Sequence, residues 1–163
     1  MSRLTTPSSL RRGMLLALAA ADLVQAQSVP PRGAAPRAEE DAAATTRRLL
    51  GEAKPQAGRV FINLPEIAES GNSVPLKIRA ESPMTPSDHV RLIHVVAERN
   101  PRPWVASFTL GARAGKAEVE AYIRLSDTQS VAAYAQMSDG SWWMQRVNVV
   151  VTIGACESLG VRY

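Results

Sequence analysis

The chain predicts a mainly β fold: an immunoglobulin-like antiparallel β-sandwich of about seven strands with one N-terminal helix. After Gly58 the hydrophobic period changes from 3.6 to 2. Val74, Leu76, Ile78 and Ala80 alternate with Lys77, Arg79 and Glu81, and Val119, Ala121, Ile123 and Leu125 alternate with Glu118, Glu120 and Arg124. Similar runs recur at short spacing, and no strand-helix-strand alternation supports a parallel sheet.

The N-terminus reads as a cleaved export signal over residues 1–26. A charged stretch ends in Arg11-Arg12, an apolar run follows from Gly13 to Ala21, and Val24-Gln25-Ala26 supplies the small residues of a cleavage site. That run falls well short of the ~20 residues of a spanning helix, so no membrane insertion is expected. Arg11-Arg12-Gly13-Met14-Leu15 fits a twin-arginine signal, and a general secretory signal fits as well. Residues 27–38 combine prolines with small residues and lack periodicity, as a linker does.

The domain is expected over residues 39–153. From Glu39 to about Leu50 the pattern is helical: Glu39, Glu40 and Asp41 open it, Arg47 and Arg48 close it, and Gly51 stops it. Its narrow apolar side (Ala42, Thr46, Leu49, Leu50) suits a helix resting on a surface. Strands are expected near Arg59 to Leu64, Val74 to Ala80, Val90 to Glu98, Val105 to Leu110, Val119 to Leu125, Val131 to Met137 and Trp142 to Ile153. Glu69-Ser70-Gly71-Asn72 and Pro101-Arg102-Pro103 serve as turn material, and Ser138-Asp139-Gly140-Ser141 as a hairpin turn joining the last two strands. Residues 154–163 form a C-terminal arm projecting from the sandwich edge.

At 163 residues and 45 % hydrophobic composition, the chain can bury one ordinary core. Its formal charge of +4 includes Arg3, Arg11 and Arg12 in the signal. Losing these with Asp22 leaves about +2, without a basic cluster interleaved with aromatics, which argues against nucleic-acid binding.

The chain has one cysteine, Cys156, seven residues before Tyr163. An oxidising compartment offers it no partner within the chain, so it stays free, pairs with another molecule, or carries an adduct. Its neighbours Gly154, Ala155, Glu157, Ser158 and Gly160 are too small or polar to enclose a sulfur, which favours an exposed, reactive thiol. Glu157 opposes thiolate formation and Arg162 favours it.

Other constellations read more simply as structure. His89 and His94, five apart on a strand pattern, fall on opposite faces, and no metal site is expected. Glu118 and Glu120 share a strand face as a solvated edge, and no nucleophile triad, dinucleotide loop or phosphate loop is present. Trp142 and Trp143 are adjacent, so one points to the core and the other outward as a candidate contact anchor. No cofactor is expected.

The stretch from Arg59 to Leu76, with Pro65-Glu66-Ile67-Ala68-Glu69 and then Gly71-Asn72-Ser73-Val74-Pro75, resembles the opening of the SoxY family, sulfur carriers of bacterial thiosulfate oxidation. Glu81-Ser82-Pro83-Met84, Ile93 to Pro101 and Met137 to Trp142 continue the likeness, which covers residues from about 39 to 156. The resemblance implies a periplasmic, immunoglobulin-like carrier, not itself an enzyme, paired with SoxZ as a heterodimer. It makes Cys156 the covalent attachment residue, loaded with thiosulfate by the SoxAX haem cytochrome and presented to the SoxB hydrolase and, in complete systems, to SoxCD.

The family arm reads Gly-Gly-Cys-Gly-Gly, whereas this one reads Gly154-Ala155-Cys156-Glu157-Ser158 and continues through Leu159-Gly160-Val161-Arg162-Tyr163. The flexible arm (Gly154, Ala155, Glu157, Ser158) is therefore bulkier, and the carrier is expected to be impaired, specialised or trimmed. From Ile153 an extended arm spans about 10 Å to Cys156. The alternative is a β-sandwich interaction module with an incidental cysteine; a thiol enzyme acting alone is disfavoured because no base accompanies the cysteine.

Overall fold

The computed structural model describes residues 41–155. One helix, α1 (Ala42–Leu50), precedes nine strands: β1 (Gln56–Ala57), β2 (Val60–Asn63), β3 (Ile67–Ser70), β4 (Val74–Ala80), β5 (Val90–Ala97), β6 (Trp104–Thr109), β7 (Glu118–Ile123), β8 (Gln129–Met137) and β9 (Trp142–Ile153). The larger sheet runs β1-β9-β8-β5-β6, with β3 also on β9, and faces a smaller sheet β2-β4-β7. The immunoglobulin-like sandwich read from the sequence is the fold, and its seven expected strands are β2 and β4 to β9.

The two further strands are short and pair parallel to β9: Gln56 and Ala57 lie opposite Trp143 and Met144, and Ile67, Ala68 and Ser70 opposite Val150, Val151 and Ile153. Too brief to show a period of their own, they exist because β9, twelve residues long, offers an edge that needs partners. Between them the chain leaves as β2 for the smaller sheet, where the Ile62 N–H donates to Gln145 Oε1 of β9.

The inner faces meet in one core. β4 contributes Val74, Leu76, Ile78 and Ala80, β5 contributes Ile93, Val95 and Ala97, β8 contributes Val131, Ala133, Ala135 and Met137, and β9 contributes Val149 and Val151. The expected alternation is complete in β4. It fails in β5 and β8, where residues 93–97 and 131–135 are buried on both faces.

The cause is α1. Leu50 joins Val96, Ala132, Tyr134 and Trp142 in a second cluster on the outer face of the larger sheet, with Ala42, Leu49 and Leu92 around it. Asp41 caps the helix through its carboxylate, accepting from Ala43 and Ala44 N–H at 3.3 Å each. Gly51 ends it with φ 66°, its N–H donating to Arg47 O. Thr45, not Thr46, is the buried threonine. Glu39 and Glu40 lie outside the described residues.

The β8–β9 turn is the expected hairpin. Gly140 takes φ 86°, Met137 N–H donates to Ser141 O, and Asp139 accepts from Ser141 N–H at 2.8 Å. The Ser141 hydroxyl and amide hold the Asp139 carboxyl below its usual range.

Candidate functional site

The chain leaves the sandwich at the end of β9, where three backbone segments close on one another. Gly71, after β3, donates its N–H to Ile153 O at 2.7 Å and accepts from Leu125 N–H at 2.8 Å; Leu125 O in turn accepts from Ala155 N–H at 2.9 Å. Three residues past Leu125, Thr128 Oγ1 accepts from Val151 N–H at 2.9 Å. The segment after β7 thus seals the end of β9 up to Ala155.

Glycine is required here by proximity. A Cβ on Gly71 would stand 2.0 Å from Leu125 O and 2.8 Å from Ala155 N, and one on Gly154 would stand 2.1 Å from Ser126 O. Neither distance is attainable, so any side chain would force the segments apart.

The 125–128 segment is itself braced by Asn100. Its Oδ1 accepts from Ser126 N–H at 3.0 Å, from the Ser126 hydroxyl at 3.2 Å and from Gln129 Nε2 at 2.9 Å, and its Nδ2 donates to Arg124 O at 2.8 Å. The Ser126 hydroxyl also reaches Arg99 O, and buried Gln129 accepts from Arg99 N–H. Every polar group of this brace is matched, which makes it rigid.

Of the expected arm residues, Gly154 and Ala155 are part-buried in this clasp. The freedom expected of glycine at position 154 is replaced by a requirement for close contact. Cys156, Glu157 and Ser158 lie outside the described residues, as do the export signal and the linker. Ala155 is the last described residue.

Beside the clasp, β3 and β9 present apolar side chains to solvent: Ile67 is 64 % exposed, Val150 50 % and Ile153 63 %. Ile67 and Val150 are direct neighbours across the parallel pair. The sequence reading placed a candidate contact anchor instead on one of the tryptophans. Trp142 is buried under α1, stacked on His94 at 5.7 Å between ring centroids. Trp143 packs against the main core with the Arg59 guanidinium 5.5 Å over its ring. The two rings do point to opposite sides, but helix and arginine cover both.

His94 sits in the outer cluster, its Nδ1 hydrogen-bonded to the Ser107 hydroxyl, which also accepts from Trp104 Nε1 at 2.8 Å. Burial holds its pKa below the usual histidine value. His89 caps a loop, Nδ1 to Thr85 O at 3.1 Å. Glu120 pairs with Lys77 at 2.6 Å on the exposed face of the smaller sheet. The ammonium hydrogen bond keeps the Glu120 carboxyl below its usual range. Among the described residues no three His, Cys, Asp or Glu gather as a metal site, and no helix is long and apolar enough to cross a membrane.

Of these residues only Gly71 was read from the sequence, as turn material; Asn100 fell within the family-like stretch Ile93 to Pro101, and no signal singled out Ser126.

The family described as "Sulfur oxidation protein SoxY" matches residues 46–156. The sulfur carrier protein SoxY from Chlorobium limicola f thiosulfatophilum is similar in structure, with 28 % identity and a TM-score of 0.57 over 68 % of this chain and 96 % of that one. A superoxide reductase (neelaredoxin) from Ignicoccus hospitalis, 14 % identical, has a TM-score of 0.52 over 58 % of this chain and 80 % of its own. The superoxide reductase from Nanoarchaeum equitans, also 14 % identical, has a TM-score of 0.50 over 60 % and 99 %. At such identity the last two share the fold alone. No curated protein sequence matches the chain.

Proposed function

The chain belongs to the SoxY family of sulfur oxidation proteins, and from that premise we propose that it is the covalent sulfur carrier of periplasmic thiosulfate oxidation, with Cys156 as the attachment residue. It is a carrier and not a catalyst. The observation that carries the reading is where the family match stops: it runs to residue 156, so the chain's one cysteine is the last residue matched. The preceding residue is anchored to the sandwich by Ala155 N–H on Leu125 O, and Cys156 follows it directly in the chain.

In the proposed loading step the Cys156 thiolate and thiosulfate form an S–S bond, giving a cysteine S-thiosulfonate and releasing two electrons to a haem cytochrome of the SoxAX type. Hydrolysis by a SoxB-type enzyme then breaks the sulfur–sulfonate bond, frees sulfate and leaves a persulfide on the carrier. SoxZ as heterodimer partner and SoxCD as a later oxidase complete the proposed set. The exposed side chains of Ile67 and Val150, neighbours across β3 and β9, and of Ile153 at the end of β9 suit contact with such proteins. The N-terminal pattern of residues 1–26 supports periplasmic export.

Cys156→Ser tests the reading. In a reconstituted Sox system the variant is expected to lose every thiosulfate-dependent mass adduct and all turnover while binding SoxZ as the parent does. An unmodified parent chain under loading conditions overturns the carrier. Loss of partner binding with turnover kept in excess partner favours an interaction module instead.

A further inference from the structure

Resting on the carrier reading, we propose that Gly71, Asn100 and Ser126 are positioning residues for sulfur transfer: they form a clasp that fixes where, and at what length, the cysteine-bearing tail leaves the domain. None of the three bears the sulfur. Gly71 links Ile153 to Leu125, Leu125 holds Ala155, and Ser126 lies against Gly154. Asn100 locks Ser126 in place from the β5–β6 side.

The arrangement sets reach by covalent geometry. With Ala155 held on Leu125 O, the Cα of Cys156 stands one peptide unit, about 3.8 Å, from a fixed point. Releasing Ala155 and Gly154 back to Ile153 adds two residues, about 7 Å. A closed clasp keeps the attachment residue next to the end of β9, where Ile153 is 63 % exposed. Partners that dock there meet the cysteine at a preset location, which spares them the entropy of capturing a loose tail. The clasp also accounts for two glycines in this chain by packing: Gly71 and Gly154 are the only residues that fit between Leu125 O, Ser126 O and Ala155 N.

Two kinds of opening test this in the full chain. Gly154→Ala drives a methyl into Ser126 O, and because it lies past the last strand the core folds without it. Asn100→Ala removes the brace, whereas Asn100→Asp keeps the oxygen that Ser126 and Gln129 donate to and serves as the rescue. Amide hydrogen exchange at Ala155 is expected to quicken about tenfold in both opening variants and to return toward the parent rate in Asn100→Asp. Spin labels on Cys156 and on a cysteine at exposed Lys116 (Lys116→Cys) read the exit directly, without sulfur chemistry: their distance distribution broadens when the clasp opens.

With reconstituted partners, thiosulfate-dependent turnover falls about fivefold in the opening variants, while the final amount of adduct on Cys156 stays at the parent level. A purely structural role would lower both together. Unchanged exchange at Ala155, unchanged label distances, or parental turnover in either opening variant overturns the clasp. Failure of the parent chain to take up thiosulfate overturns the carrier reading alone, and the exchange and label measurements then still decide the clasp.

Discussion

Cys156 and Gly71 drew different readings from the sequence. The cysteine stood out as a candidate because a single thiol among small and polar neighbours has few structural uses, and it lies outside the described residues. Gly71 was legible only as a turn, because nothing local tells a turn glycine from one pressed on a distant carbonyl. The structure makes its substitution costly: in Gly71→Ala the new methyl meets Leu125 O, fully buried Leu125 cannot retreat, and stability is expected to drop by about 1–3 kcal/mol in chemical denaturation. A loss below about 0.5 kcal/mol would mean that the three segments part easily. Tyr122, 76 % exposed on β7, is the most solvent-facing large hydrophobic residue of the described chain, and the alternation of β7 had already placed it outward.

Among the elements, α1 and β9 decide what the sandwich can do. The helix was readable from its charges and stop signal, yet its effect on β5 and β8 was not, since burial of a sheet's outer face depends on what packs there and no strand encodes its own cover. That cover creates a pH dependence. His94 is neutral in the folded state because burial lowers its pKa, while the unfolded chain protonates near 6.5. The contribution to stability is therefore full above about pH 6.5 and is lost as pH falls below it, toward the lowered folded value. Thermal midpoints are expected to decline from pH 7 to pH 5, with a shallower decline in His94→Gln; equal slopes would show that other groups govern the acid limb. Removing the Asp41 cap in Asp41→Ala should lower stability by about 0.5–2 kcal/mol and loosen the same cluster, read as a red shift of Trp142 fluorescence.

At the level of the whole molecule, the described domain is a sandwich whose last strand is held to its end. Two sheets share one core, β1 and β3 cover the free edge of β9, and the loop after β7 closes over its end. Superoxide reductases at 14 % identity share the same sandwich, so the fold alone does not set the function. The exposed apolar side chains of Ile67, Val150 and Ile153 lie on β3 and the last third of β9, away from its tryptophan-bearing start.

The sequence by itself determined the fold class, the helix, the principal strands, the hairpin and the family, because hydrophobic period, turn chemistry and blocks of matching residues are local or linear properties. Only the tertiary structure decided that β1 and β3 join β9, that both tryptophans are covered, and that Gly154 and Ala155 are held instead of swinging. Each of these follows from atoms far apart in the chain meeting at a distance that no local pattern records, as when Leu125 O lies between Gly71 and Ala155.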